Sequence, residues 1–463
     1  MPIETYLSSL VRKQSAGGPF RVQVGRVGRS VVAAEPFEPI LVIGPQRSRK
    51  SSGIVVPALL EWPGPAVCTT VGEAVLNQIY PARSRAGEFY TFNPVMEYTA
   101  GPTQVGWNPL RHSRSFEDAT VTAHLITATA PKIANDNPLW RDCAAQLLAT
   151  HLFAAGANGY TMADVTRWVA TTEEFEVRSL LQATGNEVAI SVAEASWQRE
   201  DTVRDSVYAA LQAIISVWEL PLLIDQARRF PQVGGTSFSD GGPHTLTVSS
   251  PPEVQYRYRA LTTQLTRTVV RDVFEKNRGF ADSVLGREGP IAALMASRGA
   301  VEPLLVALDD VGSVAPMPDL DDLARTAAKA AVQLVTVFTD VSQIRAAYGE
   351  DTARSIVNNH SALVVLPGNH DVATAQLVDQ LVGDEVVPGL AGGSAPSERV
   401  RRLPWGKALF VSGNRPPTVV DLRSSVVDRD LLSIRGVRPD TYLQRRLQQV
   451  AERVAGTQER KRS

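Results

Sequence analysis

One stretch constrains the fold of this chain more than any other: Ile40 to Leu60, ILVIGPQRSRKSSGIVVPALL. Four apolar residues run into a glycine, a basic loop follows, and Ser-Ser-Gly leads into a second apolar run. A short apolar run closed by Gly reads as a buried strand, and the longer run after the loop reads as a helix. Pro57 lies inside that helix and is expected to kink or shorten it. The same punctuation recurs in PAVCTTV (65–71), EFYTFNPV (88–95), HTLTVSSP (244–251), PLLVALDDVG (303–312), VQLVTVFTD (332–340), SALVVLPG (361–368) and GKALFVSG (406–413). Strands that alternate with helical patterns predict an α/β fold, a mostly parallel sheet flanked by crossover helices.

Between Phe116 and Leu222 the pattern changes. Segments such as LWRDCAAQLLATHLFAAGANG and VRDSVYAALQAIISVWEL space their apolar residues as helices do. This predicts an all-helical block inside the α/β fold, with Trp140, Trp168, Trp197 and Trp218 as core anchors. The N-terminus reads as a short helix followed by strands in GGPFRVQVGRVGRSVV, and GLAGGSAPSERVRR (389–402) as a surface loop. A chain of 463 residues also exceeds what one core usually supports, about 250–300 residues.

Composition excludes several function classes. Apolar and charged contents of 44% and 21% are those of a soluble globular protein, and a net charge of -1 provides no global basic field for nucleic acid. A local basic channel stays compatible with that balance. Cys68 and Cys143 have no metal-ligand spacing and make no disulfide framework, which fits a reducing, cytoplasmic compartment. No secretory signal and no integral membrane segment is read from the chain.

Within the opening stretch, Gly44, Lys50 and Ser51 match a phosphate-binding P-loop, Gly-x4-Gly-Lys-Ser/Thr, in the expected strand-to-helix setting. Arg49 stands at the second Gly. The loop's N–H groups, Arg47, Ser48, Arg49, Lys50, Ser51 and Ser52 are the candidate nucleotide-binding residues, with Ser51 toward Mg²⁺. A Cβ at Arg49 is expected to demand a different local path or to clash. Alone, the mismatched loop reads equally as a turn with no nucleotide role. Asp309 and Asp310 end a second apolar strand, where a Walker-B pair would hold Mg²⁺ (Asp309) and polarise the attacking water (Asp310). Alone, they read equally as capping or exposed acids. Both motifs end apolar strands of a parallel sheet, where such sheets bind ligands.

Together, GPQRSRKSSGIVVPALLEWPGPAV, WNPL (107–110), LLVALDDVGSVAPMPDLDDL, VQLVTVFTDVSQIRAAYG, NNHSALVVLPGNHD and GDE (383–385) resemble the TraG/TraD-type coupling proteins of type IV secretion and conjugation, in the soluble actinobacterial branch. The resemblance runs from about Gly25 to Val420. It implies a RecA-like P-loop NTPase domain formed by residues 1–115 and 231–425, an inserted all-helical domain at 116–230, and a C-terminal helix and basic tail at 426–463. ATP and Mg²⁺ are the implied cofactors if the site functions, and none if it does not. Implied partners are DNA, chiefly single-stranded, or a relaxosome or cargo protein, together with transfer-channel proteins. A homo- or hetero-hexamer is the implied assembly. Without a membrane segment, the implied location is the cytoplasm or the inner face of the cell membrane.

Departures from the family cluster at phosphate and hydrolysis positions. Gln46 replaces Thr, Arg49 replaces Gly, Gly72 replaces Lys, Asp310 replaces Glu, Thr339 replaces the Gln expected to sense the γ-phosphate, and Ala328 replaces a candidate arginine finger. One reading is a pseudo-ATPase kept for cargo recognition or as partner of an active paralogue. The second is an active DNA-dependent ATPase that pumps DNA as a ring, on the strength of Lys50, Ser51 and Asp309. A third is a nucleotide-free DNA or phosphate binder that uses RSRK as a basic loop.

Overall fold

A computed structural model of the chain describes residues 20–95, 101–130, 138–233, 242–277, 303–390 and 394–437. The expected N-terminal helix and the basic tail from 438 onward lie outside the described residues. Within them one sheet of twelve strands organises the chain. In chain order the strands are β1 (Gln23–Val27), β2 (Ser30–Ala33), β3 (Ile40–Ile43), β4 (Ala66–Val71), β5 (Phe89–Phe92), β6 (Thr103–Gln104), β7 (Thr245–Ser250), β8 (Leu304–Leu308), β9 (Val332–Phe338), β10 (Ala362–Val365), β11 (Lys407–Ser412) and β12 (Thr418–Asp421). Their spatial order is β2-β1-β12-β11-β10-β3-β9-β8-β4-β7-β5-β6.

From β10 to β6 every pairing is parallel. Strands β3, β8, β9 and β10 are buried along their whole length, as their mainly apolar composition requires, and the Gln333 and Thr336 side chains of β9 are buried with hydrogen bonds to the Glu38 and Ile40 carbonyls. The other edge is different. Strands β11, β12, β1 and β2 pair antiparallel, and no sequence feature indicated where parallel pairing would stop.

Helices cover both faces. Helix α1 (Val56–Glu61) follows β3, and α2 (Ala74–Ala86) follows β4. Between β6 and β7 come α3 (Phe116–Thr129), α4 (Pro138–Asn158), α5 (Met162–Ala170), α6 (Phe175–Thr184), α7 (Glu187–Trp197), α8 (Asp201–Ile215) and α9 (Pro221–Arg229). Helix α10 (Gln255–Lys276) follows β7, and α11 (Val341–Tyr348) follows β9. Alternate residues of β3 separate the two cores. Leu41 and Ile43 share a cluster with the α3–α9 block and α10, whereas Ile40 and Val42 pack with Ile54, Leu59 and Leu60 beneath α1.

Three local expectations need correction. Trp168, Trp197 and Trp218 are buried, but Trp140 is only half-buried because it stands in the first turn of α4. The stretch 389–402 is not all loop: Pro396–Arg401 is helical, and the N–H and hydroxyl of Ser397 both donate to Asp379. Pro57 does not kink a regular helix. It sits in the first turn of α1 behind a π-turn, Ser51–Val55, closed by the Val56 N–H on the Ser51 carbonyl. The wider turn removes the clash that an α-turn would impose between the Pro57 ring and the preceding carbonyls. The C-terminal end of α1 is then tied down by Arg423, buried between Glu61 (2.6 Å) and Asp428 (3.0 Å).

Candidate functional site: a cavity at the ends of β3, β4, β8 and β9

The C-terminal ends of the parallel strands open into a cavity of about 600 Å³, lined among others by residues 45–52, Thr70, Gln255, Asp309, Asp310, Thr339 and Gln343. That volume lies within the usual range for small-molecule sites, about 300–1,000 Å³. Every candidate residue from the sequence except Gly44 lines it, and Gly44 is the hinge on which the loop turns. Its N–H donates to the Phe338 carbonyl (3.1 Å). A Cβ there would meet Ser48 Oγ at 2.7 Å and Leu366 Cβ at 2.8 Å, so only glycine lets the loop fold against β10.

Arg49 is left-handed, with φ of 75°, as is Arg47 at 63°. Arg49 thus adopts a glycine conformation at a cost of roughly 1–2 kcal/mol. Its Cβ does not clash because the side chain is exposed and runs out over Gly406, where its guanidinium makes no hydrogen bond or ion pair among the described residues. The Arg49 carbonyl accepts from the Gly53 N–H (2.7 Å) and so starts the helix.

Lys50 is buried, with its Nζ 3.3 Å from the Pro45 carbonyl, a long contact that leaves it available to a phosphate. Ser51 Oγ donates to Asp309 Oδ2 at 2.5 Å across 258 residues of sequence. The other oxygen, Asp309 Oδ1, is buried and has no partner. Burial, with the Asp310 carboxylate adjacent, pushes the Asp309 pKa up to about 7, against the pull of Ser51 and Lys50. Burial also raises the Asp310 pKa, opposed by Lys50. An orphaned carboxylate oxygen beside a hydroxyl is a donor set suited to Mg²⁺, which takes one or two protein oxygens and completes its shell with water and phosphate. Among the described residues no group of three or more His, Cys, Asp or Glu is arranged to hold a metal ion.

Of the other substituted positions, Asp310 and Thr339 line the acid side of the cavity, and Gly72 and Ala328 do not line it. Asp310 is left-handed (φ 49°), a conformation Asp tolerates better than most residues. Thr339 ends β9, and its carbonyl accepts from Asn369 (3.0 Å). Gly72 follows β4 with φ of 64° and open space around it. Ala328 lies in the turn before β9, at the other end of that strand from Thr339.

Several lining residues escaped the sequence reading, Gln343 and Gln255 among them. Gln343, one turn into α11, accepts from the Thr339 N–H through Oε1 (2.8 Å). Its Nε2 lies 3.4 Å from where a Cβ on Gly312 would stand, so the amide donor faces the loop after Asp310. Gln255 lines the opposite wall from the first turn of α10. The signal for Gln343 was its place one turn after a strand end; nothing in the sequence marked Gln255.

Comparison with known proteins follows the same lines. The family described as Type IV secretory system Conjugative DNA transfer matches residues 8–226, and the family described as TraM recognition site of TraD and TraG matches residues 303–390. The conjugal transfer protein TraG of Escherichia coli is 22% identical over 372 residues, 76% of this chain and 55% of that protein. The chain thus spans about half the length of that curated relative. In fold it is similar to the bacterial conjugative coupling protein TrwB (TM-score 0.63, 16% identity, 90% of this chain and 91% of that one). TrwB in complex with ADP and Mg²⁺ gives the same TM-score at 17% identity, covering 91% of each chain. VirB4 of Thermoanaerobacter pseudethanolicus is more distant, with TM-score 0.50 and 11% identity over 88% of this chain and 97% of that one.

Proposed function

Because the chain belongs to the TraG/TraD-type coupling-protein family, we propose that it is a coupling subunit of a conjugative, type IV DNA-transfer system which binds Mg²⁺–nucleotide but hydrolyses it slowly. The single observation behind the binding half is the Ser51–Asp309 contact, with its orphaned carboxylate oxygen, over the cavity. In this reading residues 1–115 and 231–425 form the nucleotide domain and 116–230 the helical insertion. Backbone N–H groups of the loop at Arg47, Ser48 and Arg49 receive the inner phosphates, and Lys50 the outer ones. Ser51 and Asp309 hold Mg²⁺, which neutralises phosphate charge when bound.

The slow-hydrolysis half rests on the acid side. Asp310 would accept the proton of an attacking water, but its carboxylate is one methylene shorter than Glu. A misplacement of about 1 Å can cost on the order of 10²-fold. Thr339 offers its backbone to Gln343 rather than an amide to the phosphate. A coupling subunit of this kind would take a DNA strand or a relaxosome protein as cargo, contact channel proteins, and sit in a homo- or hetero-hexameric ring. No helix of the described residues is long and apolar enough to cross a membrane, and contacts with channel proteins would place the subunit at the inner face of the cell membrane.

The test compares wild type with the Arg49→Gly, Asp310→Glu double variant for Mg²⁺–ADP binding and for ATP turnover with and without DNA. Tight wild-type binding with turnover that appears only in the double variant is the expected result. Robust wild-type turnover stimulated by DNA would instead establish an active motor, the reading favoured by the retained Lys50, Ser51 and Asp309. Absence of wild-type binding would remove the nucleotide role.

A further inference from the structure

The first turns of α10 are electrostatically unusual. The helix has no side-chain N-cap and no acid in its first turn, and it carries Arg257 and Arg259 instead. Cations at the positive end of a helix are unfavourable unless something offsets them. Arg259 is half-buried, its Nε is buried without a partner, and it makes no ion pair among the described residues. Glu253, the nearest acid in sequence, pairs with neither arginine among those residues. Burial holds the Arg259 pKa below its usual value. Tyr256 opposes that effect, and the charge of Arg141 on α4 adds to it.

The aromatic component is also in place. Tyr256 is 60% exposed, and the Arg259 guanidinium lies 4.6 Å from its ring centroid. Arg257 is exposed beside it. An exposed tyrosine ring flanked by guanidinium groups is the chemistry that stacks a base and neutralises its phosphates. A duplex hides its base faces, so the aromatic component favours a single strand. Gln255, adjacent in the same turn, lines the nucleotide cavity and donates to the Ser250 carbonyl at the end of β7.

We infer that Tyr256, Arg257 and Arg259 form a contact site for single-stranded DNA that adjoins the nucleotide cavity through Gln255. The inference rests on the coupling-subunit reading and assigns that subunit a place of contact with its nucleic acid. The experiment is fluorescence anisotropy of the full chain with a labelled oligothymidylate and with a hairpin duplex, across a salt series. Exposed-residue variants Tyr256→Ser and Arg257→Glu are compared with Arg354→Glu, the same charge change at another exposed position.

The expected result is that Tyr256→Ser and Arg257→Glu each weaken single-strand binding about 10-fold, and that Arg257→Glu lowers the salt slope by about 0.7 or more. Arg354→Glu should leave both unchanged. If Arg257→Glu does no more than Arg354→Glu while wild type binds the strand, the inference falls and the coupling reading stands. Equal loss of duplex and single-strand binding overturns the single-strand assignment. If Arg257→Glu weakens labelled ADP but not DNA, the patch serves the nucleotide and the inference is overturned. Wild type that binds neither DNA form removes the DNA role itself.

Discussion

On the loop side of the cavity, Gln46 and Arg49 replace the residues a P-loop favours, yet Arg49 keeps a left-handed backbone and Lys50 and Ser51 keep their places. On the acid side, Asp310 and Thr339 also sit where strand ends should put them, but the groups they present are shorter or different. Both sides line one cavity; the loop side keeps Lys50 and Ser51, whereas the acid side presents Asp310 and Thr339. Loop geometry comes from packing: Gly44 against Leu366, Ile54 and Val55 in the core, and the Gly53 N–H on the Arg49 carbonyl. A backbone can absorb the unfavourable φ values of Arg47 and Arg49 because these contacts over-determine it. In the proposed slow-hydrolysis reading, a carboxylate one methylene shorter than Glu has no such reserve.

The largest expected effect tests the acid side. Asp310→Glu should raise ATP turnover on the order of 10²-fold, measured by phosphate release, with nucleotide affinity unchanged. If turnover does not move, the deficit lies at Thr339 or in a neighbouring subunit, and the two sides differ for another reason. Lys50→Ala comes next. Loss of a charge-assisted hydrogen bond should weaken labelled ADP by roughly 10- to 100-fold, and unchanged affinity would mean that the loop holds no phosphate.

A subtler contrast concerns Mg²⁺. In Asp309→Asn the gain in nucleotide affinity from Mg²⁺ over EDTA should shrink about 10-fold, one acidic ligand being replaced by a neutral one. A full Mg²⁺ response would place the ion elsewhere. The smallest effect belongs to the loop itself. Arg49→Gly should raise the urea midpoint by an amount equivalent to no more than about 1 kcal/mol, because relief of left-handed strain is partly offset by glycine's greater unfolded-state entropy. A clear loss of stability would show that the guanidinium over Gly406 makes a stabilising contact.

Much of the fold was legible because buried parallel strands carry an unmistakable composition. Each apolar run closed by Gly, Asp or Pro, from ILVI to LFVS, became a strand. The helical block was legible by its spacing, though that reading wrongly made Trp140, at the start of α4, a core anchor. Less legible was the antiparallel edge, since β12 and β1 are short, half-exposed and paired across almost 400 residues, Arg26 opposite Asp421. The helix at Pro396–Arg401 was hidden by Gly, Ser and Pro around it, and its Ser397–Asp379 contacts are tertiary.

By itself the sequence determined the α/β class, the strand that launches the loop, the two acids that end β8, and the list of altered positions. These follow from local patterns of one side chain after another. Only the tertiary structure decided that Arg49 adopts glycine's conformation, that Ser51 and Asp309 touch across 258 residues, and that Gln343 and Gln255 face the same cavity. Those facts depend on which strand lies beside which, and pairings between distant segments are set by the burial of whole faces rather than by any local motif.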